Sequence, residues 1–309
     1  MSSDFIQKIR AQSHLSISIA ISIIEDSIEA GNKLLSNLFK YTGHAYRIGI
    51  TGPPGAGKSS ITNELIKKFR AKDKKVAALL VDPSSPFTNG SILGDRIRMG
   101  QFYKDEDVYI RSIASRGSRG GLSENIDYVA DILEYYGYEI IIFETVGVGQ
   151  IELDVIESVD SVVVVLVPES GDDIQMMKAG LIEIADIYAI NKYDRQDSNK
   201  LYLALSNMLK LLDYANWVPK IVKTVAIEGT GINSLYKNLM IHNNYLVESM
   251  QINKKLDQRY VYNVKNIINK DFEDKFWTKD KKNIIQTELK KDIKKRKNIY
   301  KLADIIKSI

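Results

Sequence analysis

The chain has 309 residues, 44% of them hydrophobic and 27% charged, the balance of a soluble globular protein with one large or two modest domains. It has no cysteine, which excludes disulfides, thiol catalysis and any Cys-ligated zinc or iron–sulfur site. The formal charge of +4 is small and much of the basicity lies near the C-terminus, so charge alone does not argue for a nucleic-acid partner.

In chain order, Lys8 and Arg10 precede a fairly apolar run, Leu15 to Ile24. Ser16, Ser18 and Ser22 interrupt it, and Glu25 and Asp26 follow where a small-residue cleavage site would stand, so no signal peptide is read. No uninterrupted apolar stretch reaches transmembrane length. The expectation is a cytoplasmic protein with no membrane partner. Residues 5 to about 40 read as helix, with Ile17, Ile21, Ile24, Ile28, Leu34, Leu35 and Leu38 at roughly helical spacing, and Thr42-Gly43 ends it. Residues 1–44 are thus expected to be a helical extension packed on the main domain.

From Ala45 the pattern alternates between strand and helix. Apolar runs rich in Val and Ile occur at Tyr46–Ile50, Val76–Val81, Tyr138–Phe143, Val162–Val167, Ile187–Ile190 and Ile221–Val225, as suits strands buried on both faces. Helical stretches, Ser59–Arg70, Ser123–Tyr136, Asp172–Ala185, Lys200–Leu212 and Ile232–Asn243, separate most of them. The expected class is α/β, a P-loop NTPase with a doubly wound, mostly parallel sheet over residues 45–241 and ligands at the carboxyl ends of the strands. Residues 242–309 are expected to form a helical C-terminal extension; from 244 on they lack glycine and proline. The run Lys279 to Lys297 is basic but interleaved with Asp280, Glu288 and Asp292, so it reads as a solvated amphipathic helix before a nucleic-acid or membrane patch.

The strongest motif follows the first strand. Gly52-Pro53-Pro54-Gly55-Ala56-Gly57-Lys58-Ser59 fits G-x-x-x-x-G-K-[ST], and a helical pattern with Ile61, Leu65 and Phe69 comes next. Glycines let the backbone curl its N–H groups toward an anion, and the helix N-terminus adds partial positive charge. Gly52, Pro53, Pro54, Gly55, Ala56, Gly57, Lys58, Ser59 and Ser60 are therefore the expected phosphate-binding residues. Lys58 would reach the β- and γ-phosphates and the Ser59 hydroxyl would ligate Mg²⁺.

Asn191-Lys192-Tyr193-Asp194 follows the run that ends at Ile190, roughly 130 residues beyond Lys58. This is N-K-x-D, which alone matches many polar turns but in this context reads a base. Asp194 can accept from guanine N1–H and the exocyclic amine; adenine has no such donor pair, so GTP is expected over ATP. Asn191 would hold the loop or read the purine edge, and the Lys192 stem would cover the base. Glu144-Thr145-Val146-Gly147 closes the run Tyr138–Phe143, placing a carboxylate for a Mg²⁺ water and a Gly147 N–H for the γ-phosphate. Asp82 ends another run and leads into a Ser-, Pro- and Gly-rich loop suited to a mobile switch, so a Mg²⁺-shell role is read there too. Asp95, in that loop, is either a Mg²⁺-shell or water-positioning acid or a helix N-cap. Arg116 and Arg119, in a glycine-rich loop, contact phosphate or a partner, or are simply solvated. Ala226, after the last strand, offers a backbone N–H to guanine O6. Lys58, Asp95 and Glu144 are the catalytic candidates; Ser59, Asp82, Asp95 and Glu144 are the metal candidates.

With these residues assembled, the chain resembles the MeaB/ArgK family of P-loop GTPases, the family of the methylmalonic aciduria type A protein. The likeness spans roughly residues 17 to 240. It is carried by Gly43-His44-Ala45-Tyr46-Arg47-Ile48-Gly49-Ile50-Thr51 leading into the glycine loop, by Val81-Asp82-Pro83-Ser84-Ser85-Pro86, by Gly94-Asp95-Arg96-Ile97-Arg98-Met99, and by Glu144-Thr145-Val146-Gly147-Val148-Gly149-Gln150. The resemblance implies a GTP/GDP-binding, Mg²⁺-dependent GTPase; with Val148 and not a water-orienting glutamine directly after Gly147, its turnover alone is expected to be slow. Such a protein chaperones a cobalamin-dependent acyl-CoA mutase, gates adenosylcobalamin loading and is usually a homodimer. It also implies that residues Gly171 to Gly180 couple nucleotide to partner, although here Lys178 is followed by Ala179 where the family has a second basic residue. A metal-insertion GTPase of the urease or hydrogenase type is the competing expectation. The missing cysteines and the dispersed His14, His44 and His242 speak against it.

Overall fold

Strand β1 (Tyr46–Thr51) is fully buried and lies between β4 (Ile140–Thr145) and β5 (Ser161–Leu166). The sheet around it runs β3-β2-β4-β1-β5-β6-β7, with β2 Val76–Asp82, β3 Val108–Ala114, β6 Ile187–Ile190 and β7 Lys220–Lys223. Each neighbouring pair is parallel. The computed structural model describes residues 13–26, 28–82, 100–114, 121–145, 157–168, 183–212, 214 and 216–309; the side chains of 25, 26, 28, 29, 82, 114 and 121–125 are outside that description. The order reverses around β1: the chain goes out to β2 and β3, returns to β4, then crosses to β5, β6 and β7. Such a switch point opens a crevice at the carboxyl ends of the strands.

The helices among the described residues are α1 (His14–Asp26), α2 (Ile28–Leu38), α3 (Lys58–Arg70), α4 (Gly121–Tyr135), α5 (Ser198–Leu211), α6 (Ile232–Glu248), α7 (Gln251–Phe276), α8 (Lys279–Leu289) and α9 (Ile299–Lys307). Alternation along the strands splits the core in two. Ile48, Ile50, Ala78, Ile142, Val163 and Ala189 pack with Ile61, Leu65 and Phe69 of α3 and Leu235 and Leu239 of α6. Leu79, Ile141, Phe143, Val164 and Tyr188 pack on the other face with Ile17 and Ile21 of α1, Val129 and Leu133 of α4 and Leu205 of α5. Each such Val, Leu, Ile or Phe side chain, buried completely, stabilises the fold by roughly 1.5–3 kcal/mol. Helices α1 and α2 share that second cluster, so the N-terminal helical segment is part of the domain's core.

One strand escaped the sequence pattern. β3 carries Arg111 and Ser112 in Val108–Ala114, which breaks the apolar run, and it is an edge strand where half-buried polar residues are tolerated. The helix expected at Asp172–Ala185 lies almost wholly outside the described residues. The chain divides into two compact units, one ending at Leu256 and the other running from Asp257 to Ile309.

Two polar networks lie buried inside the first unit. Arg47, on β1, is 1% exposed and donates to Asp127 at 3.0 Å, to Asp131 at 2.7 Å and, through two nitrogens, to Glu134 at 2.7 and 2.9 Å. The three acids sit on one face of α4 at helical spacing, so a single cation fastens that helix to the central strand. Across the sheet, buried His242 of α6 lies 2.6 Å from Ser161 Oγ and 3.3 Å from Asp186. Ser161, His242 and Asp186 resemble a hydrolytic triad, but Ser161 is 0% exposed and cannot meet a substrate. Burial, helped by Lys255, holds His242 neutral by depressing its pKa to about 3. Its role is to fasten α6.

Candidate functional site

At the end of β1 the chain turns through Gly52, with φ of 141°, where a Cβ would collide with the carbonyl oxygen of Val165 in β5. Only glycine lets the backbone pass that close. The loop then reaches Gly57, the left-handed residue from which α3 starts. A Cβ there would strike the Asn191 amide. These two glycines press the phosphate loop onto β5 on one side and onto the N-K-x-D loop on the other.

Helix α3 has no acidic residue in its first turn, so no carboxylate there offsets its N-terminal positive end. Its first residue, Lys58, is 6% exposed, and its ammonium donates to the carbonyls of Gly52 at 2.6 Å and Pro53 at 2.9 Å. Ser59 Oγ donates to Glu144 Oε1 at 2.5 Å. Glu144, one residue before the end of β4, lies beside β1 in register with Ile50, which puts it next to the loop, and it is 7% exposed. Behind this pair Thr145 Oγ1 donates to Thr51 Oγ1 at 3.0 Å, tying the last residues of β4 and β1 together. A hydroxyl and a carboxylate in contact beside a phosphate loop are a pair of hard oxygen donors, the ligand type that Mg²⁺ takes. Among the described residues there is no cluster of three or more His, Cys, Asp or Glu fit for a metal.

Asn191 bonds through both atoms of its amide. Its Nδ2 donates to the Ala56 carbonyl at 2.8 Å, while its Oδ1 accepts from Ala226 N at 3.1 Å and Thr224 Oγ1 at 3.2 Å. It is 3% exposed and holds three segments together: the phosphate loop, its own loop and the turn after β7. The Ala226 N–H, expected to meet guanine O6, is engaged by Asn191 here, so a base oxygen would share that donor. Lys192 has φ of 54°, in the left-handed region, and Asp194 is exposed. Ser60 lies in the first turn of α3, and Pro53, Pro54 and Gly55 form the turn that leads into it.

The structure thus brings Gly52 to Ser60, Glu144, Asn191 and Ala226 to one end of the sheet. The side chain of Asp82, and all of Asp95, Gly147, Arg116, Arg119 and Gly171 to Gly180, lie outside the described residues. The sequence motifs gave no role to Thr51 and Thr145 and left out Thr224. Each is a hydroxyl in or beside an otherwise apolar strand run and 3% exposed or less, and a buried hydroxyl needs a partner. The Lys223–Tyr193–Tyr202 contact beside the base loop was passed over too: the Lys223 ammonium lies 4.7 Å and 4.3 Å from the two ring centroids.

The profile of the family described as Methylmalonyl Co-A mutase-associated GTPase MeaB matches residues 17–281. A Pyrococcus horikoshii relative named as a GTPase is 40% identical over 269 residues, covering 86% of this chain and 85% of its own. GTPase ArgK of Escherichia coli is 33% identical over 265 residues, covering 83% of this chain and 80% of its own. The crystal structure of a LAO/AO transport system kinase has the same fold, with a TM-score of 0.72 at 23% identity over 99% of this chain and 96% of that one.

Proposed function

This chain belongs to the family of methylmalonyl Co-A mutase-associated GTPases, MeaB, and we propose that it is the GTP-hydrolysing chaperone of a cobalamin-dependent acyl-CoA mutase. GTP hydrolysis is the family's activity. What most supports the partner reading is the extent of the match: residues 17–281 take in α1 and α2, the whole sheet, and α6 and α7, well beyond a nucleotide loop. In this role the protein gates adenosylcobalamin loading and protects the mutase.

The chain's own groups divide the work. Lys58 exchanges the neutral carbonyls of Gly52 and Pro53 for a phosphate oxygen, a stronger, charge-assisted partner. Ser59 and Glu144 would hold Mg²⁺ or its water, with Asp82 and Asp95 as further acids for its shell. When bound, Mg²⁺ supplies charge neutralisation across the β- and γ-phosphates. Asp194 selects guanine, and the Lys192 stem covers it. Asn191 carries any shift of the phosphate loop directly to the base side, because one amide bonds both.

The protein works as a homodimer. Tyr260, Val264, Ile267, Ile268 and Phe272 recur at helical spacing on α7 and are all exposed, an apolar stripe of the kind that pairs with a second copy. It acts in the cytoplasm without nucleic acid or membrane; no described helix is long and apolar enough to cross a bilayer.

Single-turnover GTP hydrolysis, measured with and without a cobalamin-dependent acyl-CoA mutase, tests the proposal. Hydrolysis should be slow alone and accelerate with the mutase. A fast rate that ignores every such mutase refutes the chaperone role.

A further inference from the structure

We infer that Lys223 is a positioning residue for base recognition: its ammonium, held against the rings of Tyr193 and Tyr202, locks the loop that presents Lys192 and Asp194 to guanine. The inference rests on the GTP reading above and adds to it a residue outside the N-K-x-D motif.

Lys223 is the last residue of β7 and lies in register with Ile190, one residue before Asn191. Its Nζ is 4.7 Å from the Tyr193 ring centroid and 4.3 Å from that of Tyr202. Both distances are inside the ~6 Å reach of a cation–π contact. Tyr202 belongs to α5, and so does Asn199, whose Oδ1 accepts from the Tyr193 hydroxyl at 2.6 Å. The Tyr193 backbone N–H donates to the Thr224 carbonyl at 3.1 Å. The middle residue of Lys192-Tyr193-Asp194 is thereby fixed at its backbone, its ring face and its hydroxyl.

That anchoring matters because adjacent side chains on a short loop point in different directions. With Tyr193 committed to α5 and β7, the directions of Lys192 and Asp194 are committed too. Lys192 takes φ of 54°, which residues with a side chain seldom adopt, so contacts outside the loop set its shape. Asp194 must aim two oxygens at N1–H and the 2-amino group of guanine, and hydrogen bonds weaken steeply with angle. A loop freed by a few tenths of an ångström keeps its residues and loses their aim. The device touches the base side, while Lys58, Ser59 and Glu144 form a separate set of contacts.

Lys223→Met keeps most of the length of the side chain and removes its charge. Binding of GTP, ITP and ATP is measured by calorimetry, with steady-state GTP hydrolysis alongside. ITP lacks the 2-amino group, so the GTP-over-ITP preference reports the aim of Asp194 directly. In Lys223→Met, Kd and KM for GTP rise about tenfold and that preference falls, while kcat moves less than about twofold. Lys223→Arg, which keeps the cation, restores most of both. Tyr202→Leu leaves β7 intact and gives a smaller loss in the same direction, and it decides the matter if Lys223→Met does not fold. Wild-type GTP affinity and GTP-over-ITP preference in Lys223→Met overturn the inference and leave the GTP reading standing; so does a fall in kcat at constant KM. A wild-type protein that shows no preference for GTP over ATP overturns the base-reading assignment beneath it.

Discussion

Helix α3 of the first compact unit and helices α8 and α9 of the second start in opposite ways. In the first, α3 begins at Gly57 with no side-chain cap and no acid in its first turn. In the second, α8 begins at Thr278, whose side chain accepts from Lys281 N, with Asp280 in the first turn, and α9 begins at Asn298, whose side chain accepts from Tyr300 N. A capped end with its own acid has met its needs locally. An end without them, next to Lys58 and Ser59, offers its donors to an anion. The side-chain bonds differ in the same sense. Asn191 to Ala56, Ser59 to Glu144 and Arg47 to Glu134 join residues far apart in the chain. In the second unit, Lys275 to Asp271 and Lys291 to Glu288 join residues three or four apart. The first unit is built to place groups from several strands in one spot; the second is built to be a set of helices.

Substitutions can break this contrast or sharpen it. The largest expected effect is on turnover. Lys58→Ala should cut GTP hydrolysis by at least about a hundredfold in a single-turnover assay, because charge on the transferring phosphoryl group loses its cation. Turnover near the wild-type rate would remove the phosphate-loop assignment. Next comes stability. Arg47→Met leaves Asp127, Asp131 and Glu134 buried without their shared cation, at a cost of roughly 3–5 kcal/mol by urea unfolding. A change under about 1 kcal/mol would mean that α4 is held by its apolar face alone.

Asp194→Asn should lower GTP affinity about a hundredfold and bring xanthosine nucleotides into preference, read by competition binding. Unchanged selectivity would sink the base-reading role. A smaller effect is pH-dependent. Burial pushes the Asp131 carboxyl up to about 6, with Arg47 drawing it down and Asp127 and Glu134 pushing it up. A carboxyl with a folded pKa above its unfolded value takes up a proton on folding. Its contribution is fully present below the unfolded value and is lost as pH rises toward about 6. Asp131→Asn should therefore flatten the stability profile between about pH 4 and 6, by on the order of 2 kcal/mol in denaturant midpoints at those two pH values. An unchanged slope would place the titration elsewhere. The smallest effect belongs to the second unit: Lys275→Ala removes an exposed i,i+4 pair and should cost no more than about 0.5 kcal/mol. A cost of several kcal/mol would show that this unit, too, depends on a side chain shared beyond its own helix.

The nucleotide-binding character was legible in the chain because its signals are local. Gly52 to Ser59 and Asn191 to Asp194 are short runs whose backbone shape and hydrogen-bonding groups are set within a few residues. The buried strands were legible where both faces are covered, as in Val162 to Leu166, which reads as unbroken valine and leucine. β3 was not, because an edge strand carries Arg111 and Ser112 at little cost and so loses the periodicity that marks a strand.

What the sequence determined by itself was the chemistry available: a cation, a hydroxyl, a carboxylate and an amide, each after an apolar run. What only the tertiary structure decided was who meets whom. Asn191 ties Ala56 to Ala226, Glu144 receives Ser59, and Lys223 holds Tyr193 because β1 lies between β4 and β5 and β6 lies beside β7. Pairing between strands far apart in sequence depends on the packing of whole faces, and no short motif encodes it.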